Sequence, residues 1–211
     1  YAPFGSGVLI APNVVLTAGH NLYRLATGKF ANVIVASVGM KNGKQAVKSR
    51  VVRVDCCPNY TSRANATDKS RFQYDYGIAR LADDSLFKWA GDRMDVANQS
   101  PLSDSDLSRS LLTIAGYPFI PGKPLTLKSC TGKAVAGKIE PVNVWYDMDS
   151  MPGQSGGPVF RYDGPGKAPV FAGVHVAGDT NDNRARRFDV TMRTQVQAWL
   201  ANASGGQTIG V

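Results

Sequence analysis

Gly153-Gln154-Ser155-Gly156-Gly157-Pro158 is the stretch on which the reading of this chain turns. A serine hydroxyl is a weak nucleophile until a base takes its proton, and the oxyanion formed by its attack needs backbone N–H groups aimed at one point. Glycines on both sides let the chain turn tightly enough to aim them. On this reading Ser155 is the nucleophile and the amides of Gly153 and Ser155 are the oxyanion donors, while Gly156 and Gly157 keep side chains out of the approach path.

The same hexapeptide satisfies G-x-S-x-G, the nucleophile elbow of α/β hydrolases, in which the serine opens a helix and the acid and then the histidine follow it in the chain. Pro158 makes a helix start awkward here, and His175, close behind the serine, is the sole later histidine. The surrounding pattern also points away from α/β. Short β-type runs at 7–10, 14–18, 33–38, 47–54, 76–81, 111–117, 125–135, 142–146, 159–161, 170–177 and 187–191 are punctuated by Gly, Pro, Asn and Asp, and no long helical repeats alternate with them. That is an all-β pattern suited to a sandwich or to barrels. A polar, broken stretch at 83–110 divides the runs into two groups and reads as the connection between two barrels. Val196, Trp199 and Leu200 recur at helical spacing before Gly205-Gly206, which predicts a short terminal helix over 193–204.

With 211 residues, 43% of them hydrophobic and 19% charged, the chain can bury a substantial core as one domain. No run approaches the ~18 apolar residues of a membrane span, and Tyr1 to Gly5 lacks the layout of a signal peptide, so a mature or trimmed product is expected. The +8 charge is spread over Lys41, Lys44, Lys48, Lys123, Lys128, Lys133, Arg184, Arg186 and Arg187 with no stripe, which argues against nucleic acid and leaves a general attraction for acidic substrates. Cys56, Cys57 and Cys130 are too few and too scattered for a zinc cluster, so no metal and no cofactor are expected. One of the adjacent pair could bridge to Cys130, or all three could be buried thiols. Sequons at Asn59, Asn65, Asn98 and Asn202 lie in polar surroundings and hint at secretion.

A base is sought among two histidines. His20 ends Val14-Val15-Leu16-Thr17-Ala18-Gly19-His20, a strand running into a small-residue turn that would present an imidazole at the strand end. The third member must orient that imidazole and stabilise its cation, which calls for a buried carboxylate. Asp75, flanked by Tyr74, Tyr76 and the apolar run to Leu81, is favoured over Asp55 and Asp68, whose neighbours are loop-like.

The order His20, Asp75, Ser155 and the segments Thr17 to His20, Asp75 to Ala79 and Gly153 to Pro158 resemble the chymotrypsin-like serine peptidases over most of the chain. The resemblance implies two packed six-stranded antiparallel Greek-key barrels, 1–95 and 96–192, with the helix behind them. It also implies a secreted, monomeric endopeptidase acting on proteins or peptides. A non-catalytic double-barrel binding protein is the rival from another class, and an intact triad argues against it.

Within the class, the chain resembles the glutamyl endopeptidase branch. Gln154 stands where animal digestive enzymes carry an aspartate that pairs with a freed amino terminus, Asn21 stands where they carry a cysteine, and Gly116-Tyr117-Pro118 and Tyr146-Asp147 are similar to the glutamyl branch. The resemblance places His175 on the pocket wall, partly protonated to bind a substrate carboxylate, with Ser150 as its polar companion. It also places Asp149 where trypsin-like enzymes carry the acid that selects Arg or Lys. Neighbours in an extended segment face opposite ways, so a pocket-facing Ser150 turns Asp149 aside, which favours Glu. Only six residues precede Gly7, where the family has a longer segment, so part of the first barrel is expected to be missing or separately supplied.

Overall fold

Strands with alternating burial, such as Val47–Cys56 and Leu111–Gly116, accompany strands buried almost throughout, such as Gly77–Leu81 and Val170–Ala177, in the computed structural model, which describes residues 4–39, 46–62, 69–178 and 183–210. Asn65 and Asp68 lie outside these residues, as do Lys41 and Lys44. The strands are β1 (Val8–Ala11), β2 (Val14–Thr17), β3 (Tyr23–Arg24), β4 (Lys29–Phe30), β5 (Val35–Val38), β6 (Val47–Cys56) and β7 (Gly77–Leu81) in the first half. Then come β8 (Leu111–Gly116), β9 (Lys128–Ile139), β10 (Asn143–Tyr146), β11 (Pro158–Arg161), β12 (Val170–Ala177), β13 (Asn183–Arg187) and β14 (Gln207–Thr208). The helices are α1 (Pro58–Thr61), α2 (Ser85–Ala90), α3 (Asp104–Arg109) and α4 (Val190–Ala201).

The first unit is a six-stranded sheet of order β1-β2-β7-β6-β14, with β5 also paired to β6. The second is a closed barrel of order β10-β13-β12-β11-β8-β9. Leu112, Ile114, Val144, Tyr146, Val159 and Ala185 fill the barrel. Leu22, Ile34, Val51, Val54 and Leu81 pack inside the first unit. A third cluster, with Leu16 and Ile78 from the first sheet, Phe171, Val174 and Val176 from β12, and Val196 and Trp199 from α4, joins the two. Burying apolar surface stabilises by roughly 25 cal/mol per Å², so this shared core holds the halves together.

Two expectations about the C-terminal region are corrected. The β-branched residues Val190 and Thr191 suggest a strand over 187–191, but the strand ends at Arg187 and α4 begins at Val190. Asp189 decides this: its carboxylate accepts from Met192 N at 2.7 Å, an N-cap that outweighs the local β preference, and it pairs with the buried Arg186 at 2.9 Å. The helix stops at Ala201, ahead of Gly205-Gly206, where Arg80 Nη2 donates to Asn202 O at 3.0 Å and to Asp55 at 3.3 Å. The chain then returns to the first sheet as β14, Gln207 opposite Val54, so that unit is completed by residues far beyond 95. The three cysteines are free thiols: Cys56 and Cys57 are buried, and Cys130, on the second barrel, is partly exposed.

Asp189→Ala should lower unfolding stability by about 1–2 kcal/mol, because both the cap and the partner of a buried guanidinium are lost. A denaturant titration would show a lower midpoint with unchanged slope.

Candidate active site

Small buried residues bring His20 against Asp75. β2 runs through Thr17 into a 3₁₀ turn, Gly19–Asn21, and a Cβ on Gly19 would come within 3.0–3.2 Å of Cys56 Sγ, Asp75 Oδ1 and Tyr60 Cδ1. Asp75 lies two residues before β7 and is 1% exposed. His20 binds it twice: its backbone N–H donates to Oδ1 at 2.8 Å, and its ring Nδ1 lies 2.7 Å from Oδ2. An ionised carboxylate is an acceptor only, so this pairing puts the proton on Nδ1 and leaves Nε2 to act as a base. Burial pushes the His20 pKa down, but the charge of Asp75 and its hydrogen bond outweigh burial, and the opposing pull of Arg71, and carry it above 6.5. Burial and then the Asp75 charge push the Cys56 thiol and the Tyr60 phenol well up, so both stay neutral beside the carboxylate. Asp55 is engaged by Arg80 at the end of α4.

Ser155 sits half-buried in a turn closed by Gln154 N to Met151 O at 3.1 Å and Gly157 N to Gln154 O at 2.9 Å. Gly153 has φ +95°, and a Cβ there would lie 2.6 Å from Tyr117 O and 2.8 Å from Phe119 N. Gly156 has φ +88°, and its Cβ would meet Ser6 O and Thr17 Oγ1 at 2.2 Å, while one on Gly157 would meet Ala115 O at 2.2 Å. These glycines therefore serve close approach to β2 and β8 more than clearance of an approach path. Phe119 N donates to Pro152 O at 2.7 Å. In a trans peptide the N–H points opposite to the C=O, so this bond aims Gly153 N–H away from Phe119, and the Gly157 bond to Gln154 O fixes Ser155 N–H in the same manner. Among the described residues, no hydrogen bond takes up either N–H.

Two contacts carry Ser155 to the histidine turn. Asn21 Nδ2, next in sequence to His20, donates to Ser155 O at 2.9 Å and to Thr17 Oγ1 at 2.9 Å, and Ser6 N donates to Ser155 O at 2.7 Å. Among the described residues, no hydrogen bond joins Ser155 Oγ directly to His20, a contact that commonly tightens only when substrate is bound. Gln154 is used locally, its Oε1 accepting from Met151 N at 2.8 Å, so this turn is held without an ion pair at that position.

On the other side, β12 is zipped to the same turn: Gly156 N donates to His175 O at 2.7 Å and His175 N to Gly157 O at 2.9 Å. The His175 ring is 2% exposed, and its Nδ1 bonds Tyr146 OH at 2.5 Å. The partly protonated histidine expected from the sequence is corrected. Burial, and after it the charge of His20, lower its pKa to about 4 despite a hydrogen bond with the Arg184 backbone, so it is neutral at neutral pH. Ser150 Oγ donates to Asn183 Oδ1 on β13, and Asn183 lies directly opposite Tyr146 in register, which puts the two side chains on one face. Asp149 is exposed in a groove with Pro118, Ile120, Lys128, Cys130, Met151 and Gln154, the residue before Ser155. Sequence reasoning missed Ser6, Asn21, Tyr146 and Asn183 as contributors. Asn21, named for the cysteine it replaces, and Tyr146, within the Tyr146-Asp147 segment, carry no sign in the sequence of which atoms they meet.

Residues 5–165 match the family model of the trypsin-like peptidase domain. The chain belongs to this family. It is 27% identical over 204 residues, 94% of its length, to the glutamyl endopeptidase of Bacillus licheniformis, of whose own length it spans only 60%. Among solved structures it is similar to a Glu endopeptidase in complex with MPD, at TM-score 0.75 and 20% identity over 92% of this chain and 84% of that one. It is also similar to the thermostable serine protease AL20 from an extremophilic microorganism, at TM-score 0.69 and 21% identity over 95% and 90% of the two chains. The protease Anisep from Arthrobacter nicotinovorans follows at TM-score 0.68 and 19% identity over 93% and 87%. This family member has the chymotrypsin-like fold.

The His20 geometry makes a direct prediction. Its imidazole should titrate above 6.5 by NMR, and Asp75→Asn should bring it below 6.5, because burial and Arg71, which both lower it, are then unopposed by the carboxylate charge. The stability from this pair is present below the unfolded pKa of ~6.5 and is lost as pH rises through the folded value.

Proposed function

We propose that this chain is a serine endopeptidase that hydrolyses proteins or peptides by acyl transfer, and the observation that carries the reading is the doubly bonded His20–Asp75 pair, tied to Ser155 through the bond of the adjacent Asn21 to Ser155 O. His20 Nε2 takes the proton of Ser155 Oγ as the oxygen attacks the carbonyl carbon, and the oxyanion forms against the amides of Gly153 and Ser155. Asp75 stabilises the imidazolium, which then gives its proton to the leaving amine as the C–N bond breaks. His20 next deprotonates a water that attacks the acyl carbon, and the proton returns to Ser155 Oγ as the ester breaks. Exposed sequons at Asn59, Asn98 and Asn202 support work outside the cell. Ser155→Ala should lower kcat by roughly 10⁶-fold, and a serine-directed phosphonate should label Ser155. An unlabelled protein, or a Ser155→Ala variant with substantial turnover, would overturn this in favour of a binding module.

The specificity we propose is for Glu at the bond cleaved. Similarity to glutamyl endopeptidases supports it, as does the register that sets Tyr146, bonded to His175, opposite Asn183, bonded to Ser150. A bound carboxylate would raise the His175 pKa from about 4, so binding couples to proton uptake at that ring. Asp149 is exposed in a groove that also holds Lys128 and Gln154, and it takes no part in the Ser150–Asn183 and Tyr146–His175 pairs, which favours Glu over Arg or Lys. In a peptide-library profile, His175→Val should cut preference for Glu by on the order of 100-fold, and Asp149→Asn should leave the profile unchanged. Cleavage chiefly after Arg or Lys, abolished by Asp149→Asn, would reverse the assignment.

A further inference from the structure

We propose that Ser6 is a positioning residue for the oxyanion-donating turn, an inference that rests on the serine-nucleophile reading above. Ser6 is 9% exposed and every polar atom it has is committed. Its Oγ donates to Gly153 O at 2.7 Å and accepts from Tyr117 N at 2.8 Å. Its N–H donates to Ser155 O at 2.7 Å, and its carbonyl accepts from Thr17 Oγ1 at 2.7 Å. Thr17 in turn receives Asn21 Nδ2, so a continuous set of hydrogen bonds runs from the turn that carries His20, through Ser6, to both residues whose amides face the oxyanion.

The hydroxyl matters because of what it holds. Gly153 sits at φ +95°, and glycine crosses between backbone regions at little steric cost, so its two flanking peptides need external bonds to stay put. Phe119 N fixes the preceding peptide through Pro152 O, and the following one is held at its N–H end by Met151 O and at its carbonyl by Ser6 Oγ. Ser6 Oγ also ties that peptide to Tyr117, two residues before Phe119, so the bracing segment and the turn are locked to each other. Space around this hydroxyl is tight, since a Cβ on Gly116 would lie 2.8 Å from it. Removing it leaves Gly153 O and Tyr117 N unpaired in a half-buried place and leaves the Gly153 peptides held only by Phe119 N to Pro152 O and Gln154 N to Met151 O, which loosens the aim of an N–H at the position the oxyanion will occupy. The backbone bond from Ser6 N to Ser155 O survives, so the turn is loosened and not released.

The experiment separates oxyanion support from general damage. Ser6→Ala, counted by phosphonate titration so that only competent molecules enter the rate, should lose on the order of 10- to 100-fold in kcat with KM within about threefold. Its affinity for a peptide aldehyde, whose adduct with Ser155 places an oxyanion in the site, should fall by the same factor. Affinity for the matching reduced-amide peptide, which has no carbonyl there, should change by less than about threefold. Ser6→Cys keeps a weaker hydrogen-bonding group and should show the same differential at smaller size, so the comparison stands even where Ser6→Ala does not accumulate folded. Equal losses for both inhibitors, or undiminished aldehyde affinity in both variants, would overturn the role of Ser6. A wild-type protein that forms no aldehyde adduct at Ser155 would instead overturn the nucleophile reading itself.

Discussion

A carboxylate buried to 1% exposure is stable as an anion only if hydrogen bonds replace the water it has lost, and Asp75 obtains them from one residue used twice. The backbone of His20 occupies one oxygen and its ring the other. Two bonds to a single planar group fix both the position and the tilt of the imidazole, which a single bond could not. The same burial that makes the anion costly makes its field strong, and this is why the His20 pKa rises although burial alone would lower it. Gly19, Cys56 and Tyr60 close in on the Asp75 carboxylate, while the His20 side chain stays 34% exposed.

The other half of the site belongs to a different structural unit, so its placement is a problem of assembly. Ser155 offers a carbonyl to two donors from the first half of the chain, Ser6 N and Asn21 Nδ2, while the residues after it are zipped to β12 through His175. The turn is therefore gripped from both sides by backbone atoms, with the shared core of Leu16, Ile78, Val174 and Val196 holding the units against each other. Chemistry at such a junction depends on contacts that neither unit makes alone.

The mouth of the barrel shows how packing reassigns chemical character. His175 and Tyr146 meet where solvent is excluded, and the ring loses its charge as a consequence. Met148 and Ser150 turn inward from the same segment that turns Asp147 and Asp149 out, so Asp149 ends exposed in a groove with Lys128 and Gln154. Alternation along an extended segment is a local rule that the sequence exposes, but which face it presents to the barrel is set by the strands it packs on.

Much of this protein is legible from its sequence because the relevant physics is local. The β-type runs, the tight glycine turn around Ser155, the strand end that presents His20 and the apolar flanks of Asp75 follow from backbone preference and side-chain pattern over a few residues each. The start of α4 was misread on the same local grounds, since Val190 and Thr191 favour a strand until the Asp189 cap and its pairing with Arg186 are formed. What only the tertiary structure decided are relations between distant residues: β14 completing the first sheet, Ser6 reaching Gly153, Asn21 reaching Ser155, and Tyr146 bonding a neutral His175. Those depend on burial and on a donor and an acceptor meeting across the fold, and neither quantity is a property of any short stretch of chain.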